Sequence, residues 1–363
     1  MLRGEFIVQK ETNYNYIIDA LKFVFSFIIV IYHSWCFSGT WGNGYFQYGF
    51  LAVDFYFIVT GYLMMNSINK EKNQEINLGK STLCFVKNKI KKIYPFIIVS
   101  FLVGGFLLFK ENFLIKGIIL KNEYLLEILQ LGILGTGFPI NSAAWYLSSM
   151  LISLLLLYPL AKKFKENYNT LIVPITLVVI ILIVNSFQIN INNPLGKDLF
   201  FLNGFYKGLI FILIGNLTFF ITQIITKINF KKTGIILLTF LEIVLYILSI
   251  LTMYYNMFDT GFVAIMLQIA IAITFSNKSL TFKYLNFSIF KKLGEFGFIM
   301  YLNNIYIRTY FLQNNLIKTY KETTLLYLGV VLLISLIIYF LVPVIVKLLK
   351  FFRKKFIGLC INS

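Results

Sequence analysis

Histidine is nearly missing from this chain of 363 residues: there is one, His33. Cysteine is scarce as well. Cys36, Cys84 and Cys360 show no CxxC spacing, and an odd count makes no closed disulfide framework. One imidazole and three scattered thiols do not make a metal site, so no metal is expected. Charged residues are only 13% of the chain, against about 25% in soluble domains. A soluble core of this length has no need for so little charge. Strict alternation of apolar and polar residues is nearly absent, which argues against a membrane barrel. No internal repeat and no low-complexity linker are visible. The first apolar run is too long for a cleavable signal peptide and lacks a small-residue cleavage pattern, so it is expected to stay as an anchor.

What is present is apolar. The chain is 58% hydrophobic, with a mean hydropathy of +0.79. The expectation is an all-α polytopic membrane protein, because only helices and closed barrels satisfy their backbone groups in lipid. Ten spans are read, at roughly 14–36, 46–66, 90–109, 144–161, 171–187, 199–221, 234–254, 259–276, 292–313 and 324–346. The edges of the eighth and ninth are open, and the short apolar stretch 122–134 reads as an interfacial or re-entrant piece. The whole chain, 1–363, reads as a single integral-membrane domain.

The formal net charge is +18. A basic soluble protein would point to nucleic acid, but here the excess follows the loops. With the N-terminus inside, the inner segments hold 24 Lys and Arg, the outer segments 6, and Lys22, Lys207 and Arg308 lie within spans. That bias puts both termini in the cytoplasm and leaves no role for nucleic acid. The C-terminal KLLKFFRKKF run is read as a basic anchor against anionic lipid. The Lys, Asn, Ile, Tyr and Phe bias hints at an AT-rich bacterial genome, so a bacterial cytoplasmic membrane is the expected location.

Polar residues inside spans mark pathways or reaction sites. Asp19, Lys22, Ser26 and His33 fall within about 60° of one another on the first helix. His33 lies about 16 Å from Lys22 along the axis, in the outer half of the bilayer. Two readings stand for it: a proton-exchanging reaction centre, or an inert hydrogen-bonded residue near the interface. Asp54, in the otherwise apolar second span, reads as an ion-pair partner of Lys22 or as the group orienting His33. Thr60 and Gly61 beside it suit close helix packing. Lys89 and Lys92 share a helix face in a cationic patch, either as phosphate ligands or as a positive-inside anchor. Trp145 and Tyr146 open the fourth span, as an interface belt or as a stacking surface for a sugar ring. Asn303, Asn304 and Arg308 make the ninth span polar, and Glu242 marks the seventh without an assignable role.

Several stretches, taken in order, resemble the membrane acyltransferase 3 family. YIIDALKFVFSFIIVIYHS is similar to the opening helix of that family, with Lys22 in the place of the usual Arg and the key His33 eleven residues on. VDFYFIVTGYLM resembles its second-helix signature, with Thr60 where Ser is common. KIKKIYP resembles an Arg-x-x-Arg-Ile-x-Pro stretch, with Lys89 and Lys92 replacing both arginines. WYLSSMLISLLLLYP resembles its Trp-Tyr/Phe-Leu helix. LGEFGFIMYLNNIYI resembles the late Leu-Gly…Tyr-Leu-x-His stretch, with Asn304 where His is frequent.

The resemblance implies a transmembrane O-acyltransferase that moves an acyl group, usually acetyl, from cytoplasmic acetyl-CoA to a hydroxyl of a cell-surface glycan or lipid-linked sugar. It implies that Lys22, Lys89 and Lys92 bind the CoA phosphates, and that His33 acts as general base or carries the acyl group. Asp19 or Asp54 would set the charge of Lys22 or orient His33, and Trp145, Tyr146 and Asn304 would meet the acceptor. A transporter or flippase for a lipid-linked saccharide is the competing reading, since it would share the spans, the basic inner face and the buried charges.

Overall fold

The computed structural model describes residues 14–39, 44–71, 77–109, 122–135, 137–138 and 141–361. Among them there is no strand. The helices are α1 (Ile17–Tyr32), α2 (Ala52–Lys70), α3 (Leu78–Phe109), α4 (Asn122–Ile128), α5 (Trp145–Lys163) and α6 (Val173–Ser186). They continue with α7 (Asn203–Lys227), α8 (Lys232–Tyr255), α9 (Thr260–Ser276), α10 (Leu280–Leu285), α11 (Ile289–Gln313) and α12 (Tyr320–Ile361). Among the described residues, eight helical stretches are long and apolar enough to cross a membrane. The eight exclude α9, which is shorter at 17 residues. They also exclude α11, which is long enough but carries Asn303, Asn304 and Arg308. The protein is an all-α, multi-pass membrane protein.

Burial sorts the helices into layers. In the apolar stretches that hold α2 and α5, 78% and 72% of residues are buried inside the bundle, against 11% for α6 and 22% for both α8 and α12. The two central helices are therefore wrapped by protein. The outer ones turn Val178, Leu182, Leu237, Phe240, Leu333 and Phe340 outward, as lipid requires.

Small residues set the closest crossings. A Cβ placed on Gly61 of α2 would sit 2.1 Å from the Ile212 carbonyl oxygen of α7, and one on Gly215 would sit 2.2 Å from the Ile58 oxygen. The two backbones touch there, which is the packing role expected of Gly61. On α11, Gly294 and Gly297 lie against Asp19 and Phe23 of α1 in the same way. These close crossings join α2 to α7 and α1 to α11.

Several edges differ from the sequence expectation, each for a local reason. α3 begins at Leu78, so Lys87, Lys89, Lys91 and Lys92 lie on the helix. α1 stops at Tyr32, and the chain tightens into a 3-10 turn, His33–Ser38, in which the Ser38 hydroxyl bonds to the Trp35 carbonyl at 2.7 Å. His33 is thus the first residue after the α-helix. α7 begins at Asn203, not 199, because residues 190–202 form a hydrogen-bonded loop. The 122–134 stretch holds α4 and a 3-10 turn at Gly132–Leu134. It packs back on the core through Tyr94 Oη to Ile128 O at 2.7 Å and Ile133 N to Ser148 Oγ at 3.2 Å.

Candidate active site

α1 carries its polar groups at two levels. Near its start the Asn15 amide oxygen accepts from the Ile17 and Ile18 N–H groups and caps the helix. One turn later Lys22 Nζ reaches Asp19 Oδ1 at 2.8 Å, while Tyr14 donates to Asp19 Oδ2 at 2.8 Å. Lys89 of α3 lies within electrostatic range of both Lys22 and Lys92. The three lysines expected to act together are therefore one cluster, at the end of the bundle where α1 begins.

His33 is at the other end. There the C-terminus of α1, the N-termini of α2 and α5, the loop before α7 and the last third of α11 enclose a cavity of about 600 Å³. This lies within the usual range for small-molecule sites. His33 lines it together with Trp35, Trp145 and Arg308, and Asn190, Asn192 and Asn193 of the loop form another wall. Two indoles and a row of carboxamides make a surface that is flat and apolar on one side and hydrogen-bonding on the other.

The loop that supplies the carboxamides is built from its own side chains. Asp198 Oδ2 accepts from the Asn190 N–H at 2.8 Å and from Asn203 Nδ2 at 2.7 Å. Asn203, fully buried, also donates to the Asn190 carbonyl and accepts from the Asp198 N–H. The Gly204 N–H bonds to the Pro194 carbonyl at 2.9 Å and closes the turn. The loop shows no periodicity, so its only mark in the sequence is the run of Asn around Pro194.

The structure separates other expected partners. Asp54 pairs neither with Lys22 nor with His33: its Oδ1 is 2.9 Å from Lys207 Nζ of α7. The reason is the Gly61–Gly215 crossing, which lays α2 and α7 side by side. Phe50 and Val53 line the cavity, so the ion pair sits just behind its wall, with the Lys207 ammonium over the Phe50 ring at 5.3 Å. Asp19 is about 21 Å along the helix axis from His33, at 1.5 Å per residue, and serves Lys22 instead.

Trp145 is in the cavity, but Tyr146 and Asn304 are not among its lining residues. Tyr146 faces the core, with its ring 4.7 Å from Phe57, 5.8 Å from Tyr56 and 6.0 Å from Tyr301. Asn304 is buried and donates to the Tyr301 carbonyl at 2.5 Å, and its own carbonyl accepts from Tyr327. For Tyr146 this follows from helix geometry, since it is next to Trp145 and points about 100° away from it. Asn304 shares the α11 face of Tyr301 and Arg308, but its amide donates back to the Tyr301 carbonyl. Arg308, noted in the sequence only as a polar residue, is the group beside the imidazole. Its Nη1 lies 3.5 Å from His33 Nδ1.

Residues 15–361 match the family model described as an acyltransferase domain. The chain belongs to the membrane acyltransferase 3 family. No curated protein and no solved structure matches it. This acyltransferase therefore needs an acyl donor, an acceptor and the bilayer around it. Among the described residues it has no cluster of three His, Cys, Asp or Glu side chains that would hold a metal.

Proposed function

We propose that this membrane acyltransferase is an O-acetyltransferase that takes acetyl groups from cytoplasmic acetyl-CoA and passes them to a hydroxyl of a cell-surface glycan or lipid-linked sugar. One observation carries the reading. Lys22 of α1 and Lys89 and Lys92 of α3 gather toward the start of α1, whereas the cavity around His33 opens just past its end. An anionic donor made on one side and a carbohydrate acceptor presented on the other require that separation. Charge placement orients the protein, with the lysine cluster and both termini facing the cytoplasm.

At the inner end, three ammonium groups match the phosphates of CoA. At the outer end, Trp35 and Trp145 offer ring faces for a sugar, and the Asn190–Asn193 wall offers amide donors and acceptors for its hydroxyls. The neutral imidazole of His33 takes the proton from the attacking hydroxyl as the ester forms. Asp54 and Lys207 act from behind the wall, by fixing the position of α2 against α7.

The test is turnover of radiolabelled acetyl-CoA by the purified protein in detergent, comparing wild type with His33→Ala. Label release or transfer should be lost in the variant while its melting behaviour stays unchanged. Full activity in His33→Ala would remove His33 from the mechanism. A folded wild type that neither turns over acetyl-CoA nor is stabilised by it would favour a saccharide transporter.

A further inference from the structure

The charges buried within the bundle are nearly all matched. Asp19 is bonded to Lys22, and Asp54 lies against Lys207. Glu242 takes hydroxyl bonds from Thr274 at 2.6 Å and Thr281 at 2.7 Å. Arg308 is the exception. Among the described residues it has no carboxylate partner, and its buried Nε has no hydrogen-bond partner. An uncompensated guanidinium inside a membrane protein is costly and is retained where an anion or a developing negative charge must be met. This one lines the cavity and touches its only imidazole.

The contact also defines the imidazole. A guanidinium has five N–H donors and no acceptor. In the Arg308 Nη1 to His33 Nδ1 contact the arginine must donate, so Nδ1 carries the lone pair and the proton of neutral His33 sits on Nε2. The basic nitrogen is therefore the one that faces the cation. At 3.5 Å the bond is long, close to the limit of what counts as one. An incoming hydroxyl can take it over, accepting from Arg308 through its oxygen while donating to Nδ1.

We propose that Arg308 is a catalytic residue: its guanidinium holds the oxygen of the attacking hydroxyl against His33 Nδ1 and stabilises the negative charge that gathers there. This rests on the acyl-transfer reading above. In the step, the hydroxyl oxygen bonds to the acyl carbon and its proton passes to Nδ1. The carbon–sulfur bond of the acyl thioester breaks, and the leaving thiolate takes the proton from His33. Ester and CoA thiol result, and Arg308 keeps all its protons throughout.

Water is the smallest hydroxyl acceptor, so the assay is CoA release from acetyl-CoA by full-length protein in detergent, without added glycan. Arg308→Gln should lower kcat by about 100-fold, as loss of a donor to a developing oxyanion does elsewhere. Its KM for acetyl-CoA should stay near that of wild type. Arg308→Lys should fall between the two, because it keeps the charge and loses the planar fork. Millimolar guanidinium should restore part of the turnover of Arg308→Gln and none of that of His33→Ala. Turnover of Arg308→Gln within about threefold of wild type would overturn the proposal while leaving acyl transfer intact. So would an equal loss in Gln and Lys variants that guanidinium fails to relieve. If Arg308→Gln does not fold, Arg308→Lys at wild-type rate overturns it equally. A folded wild type with no turnover would overturn the acyl-transfer reading and this proposal with it.

Discussion

The Asp54 carboxylate and the Lys207 ammonium meet at 2.9 Å with 0% and 2% of their side chains exposed. They come from helices 153 positions apart in the chain, and the contact exists because α2 and α7 cross at two glycines. Asp54 Oδ2 has no hydrogen-bond partner among the described residues. The pair is thus isolated in a medium where a lone charge is expensive.

Breaking one half of that pair should cost far more than replacing both. Asp54→Asn or Lys207→Met alone is expected to destabilise the protein by about 3–5 kcal/mol, since each leaves one buried charge without its partner. The double variant should recover much of this. Thermal unfolding in detergent is the measurement, and a double variant as unstable as the sum of the singles would refute the argument.

Gly61→Val should separate α2 from α7. The added Cβ lies 2.1 Å from backbone, not from a side chain that can move aside. The expected loss is about 1–3 kcal/mol or more, typical of overpacking. Because the same crossing aligns Asp54 with Lys207, the variant should also lose turnover. A variant with unchanged melting temperature would show that the helices do not meet as closely as the structure has them.

Lys89→Ala and Lys92→Ala should each raise KM for acetyl-CoA about tenfold with little change in kcat, the signature of lost charge-assisted binding remote from the reacting atoms. Added salt should raise the wild-type KM and narrow the difference. If either substitution lowered kcat and left KM alone, the cluster would not be where the donor phosphates sit.

Glu71, just past the end of α2, ties α2 to α5. Burial acts to raise its carboxyl, but hydrogen bonds from Lys162 at 2.6 Å and Tyr158 at 2.9 Å more than offset this and hold it below the ordinary carboxylate value. A group depressed in the folded state adds stability above its unfolded pKa, about 4.3 for Glu, and loses it as pH falls through the lower folded value. The carboxylate is 37% exposed, so the gain is that of a solvated pair, at most about 1 kcal/mol. Wild type should melt slightly above Glu71→Gln at pH 7, and the two curves should converge below about pH 4. A gap that persists in acid would assign the effect to packing.

How much of this was written locally can be seen residue by residue. Asp19 and Lys22 are three apart on one helix, so their pairing follows from the 3.6-residue repeat. Lys89 and Lys92 are likewise a local pair, and the apolar runs declare the long helices. Asp54 with Lys207 and His33 with Arg308 are different. Both join helices distant in sequence, and nothing in either segment names the partner. Counting charges comes closest: Lys207 inside a span points to a buried acid, and Asp54 is among the few acids inside the spans. The 190–202 loop is harder still, because Asp198 and Asn203 hold it through a few hydrogen bonds that leave no periodic trace. Tyr146 shows the limit of motif position, since a rotation of about 100° from Trp145 moves its side chain from the cavity into the core.

Asn203 joins two parts of the bundle. It knots the 190–202 loop and is also the first residue of α7, one turn before Lys207. A helical turn moves as a stiff unit, so the loop that walls the cavity and the ammonium that meets Asp54 are mounted on the same short lever. A molecule seated against the asparagine wall would bear on the electrostatic keystone of the bundle, and a loosened keystone would in turn slacken that wall.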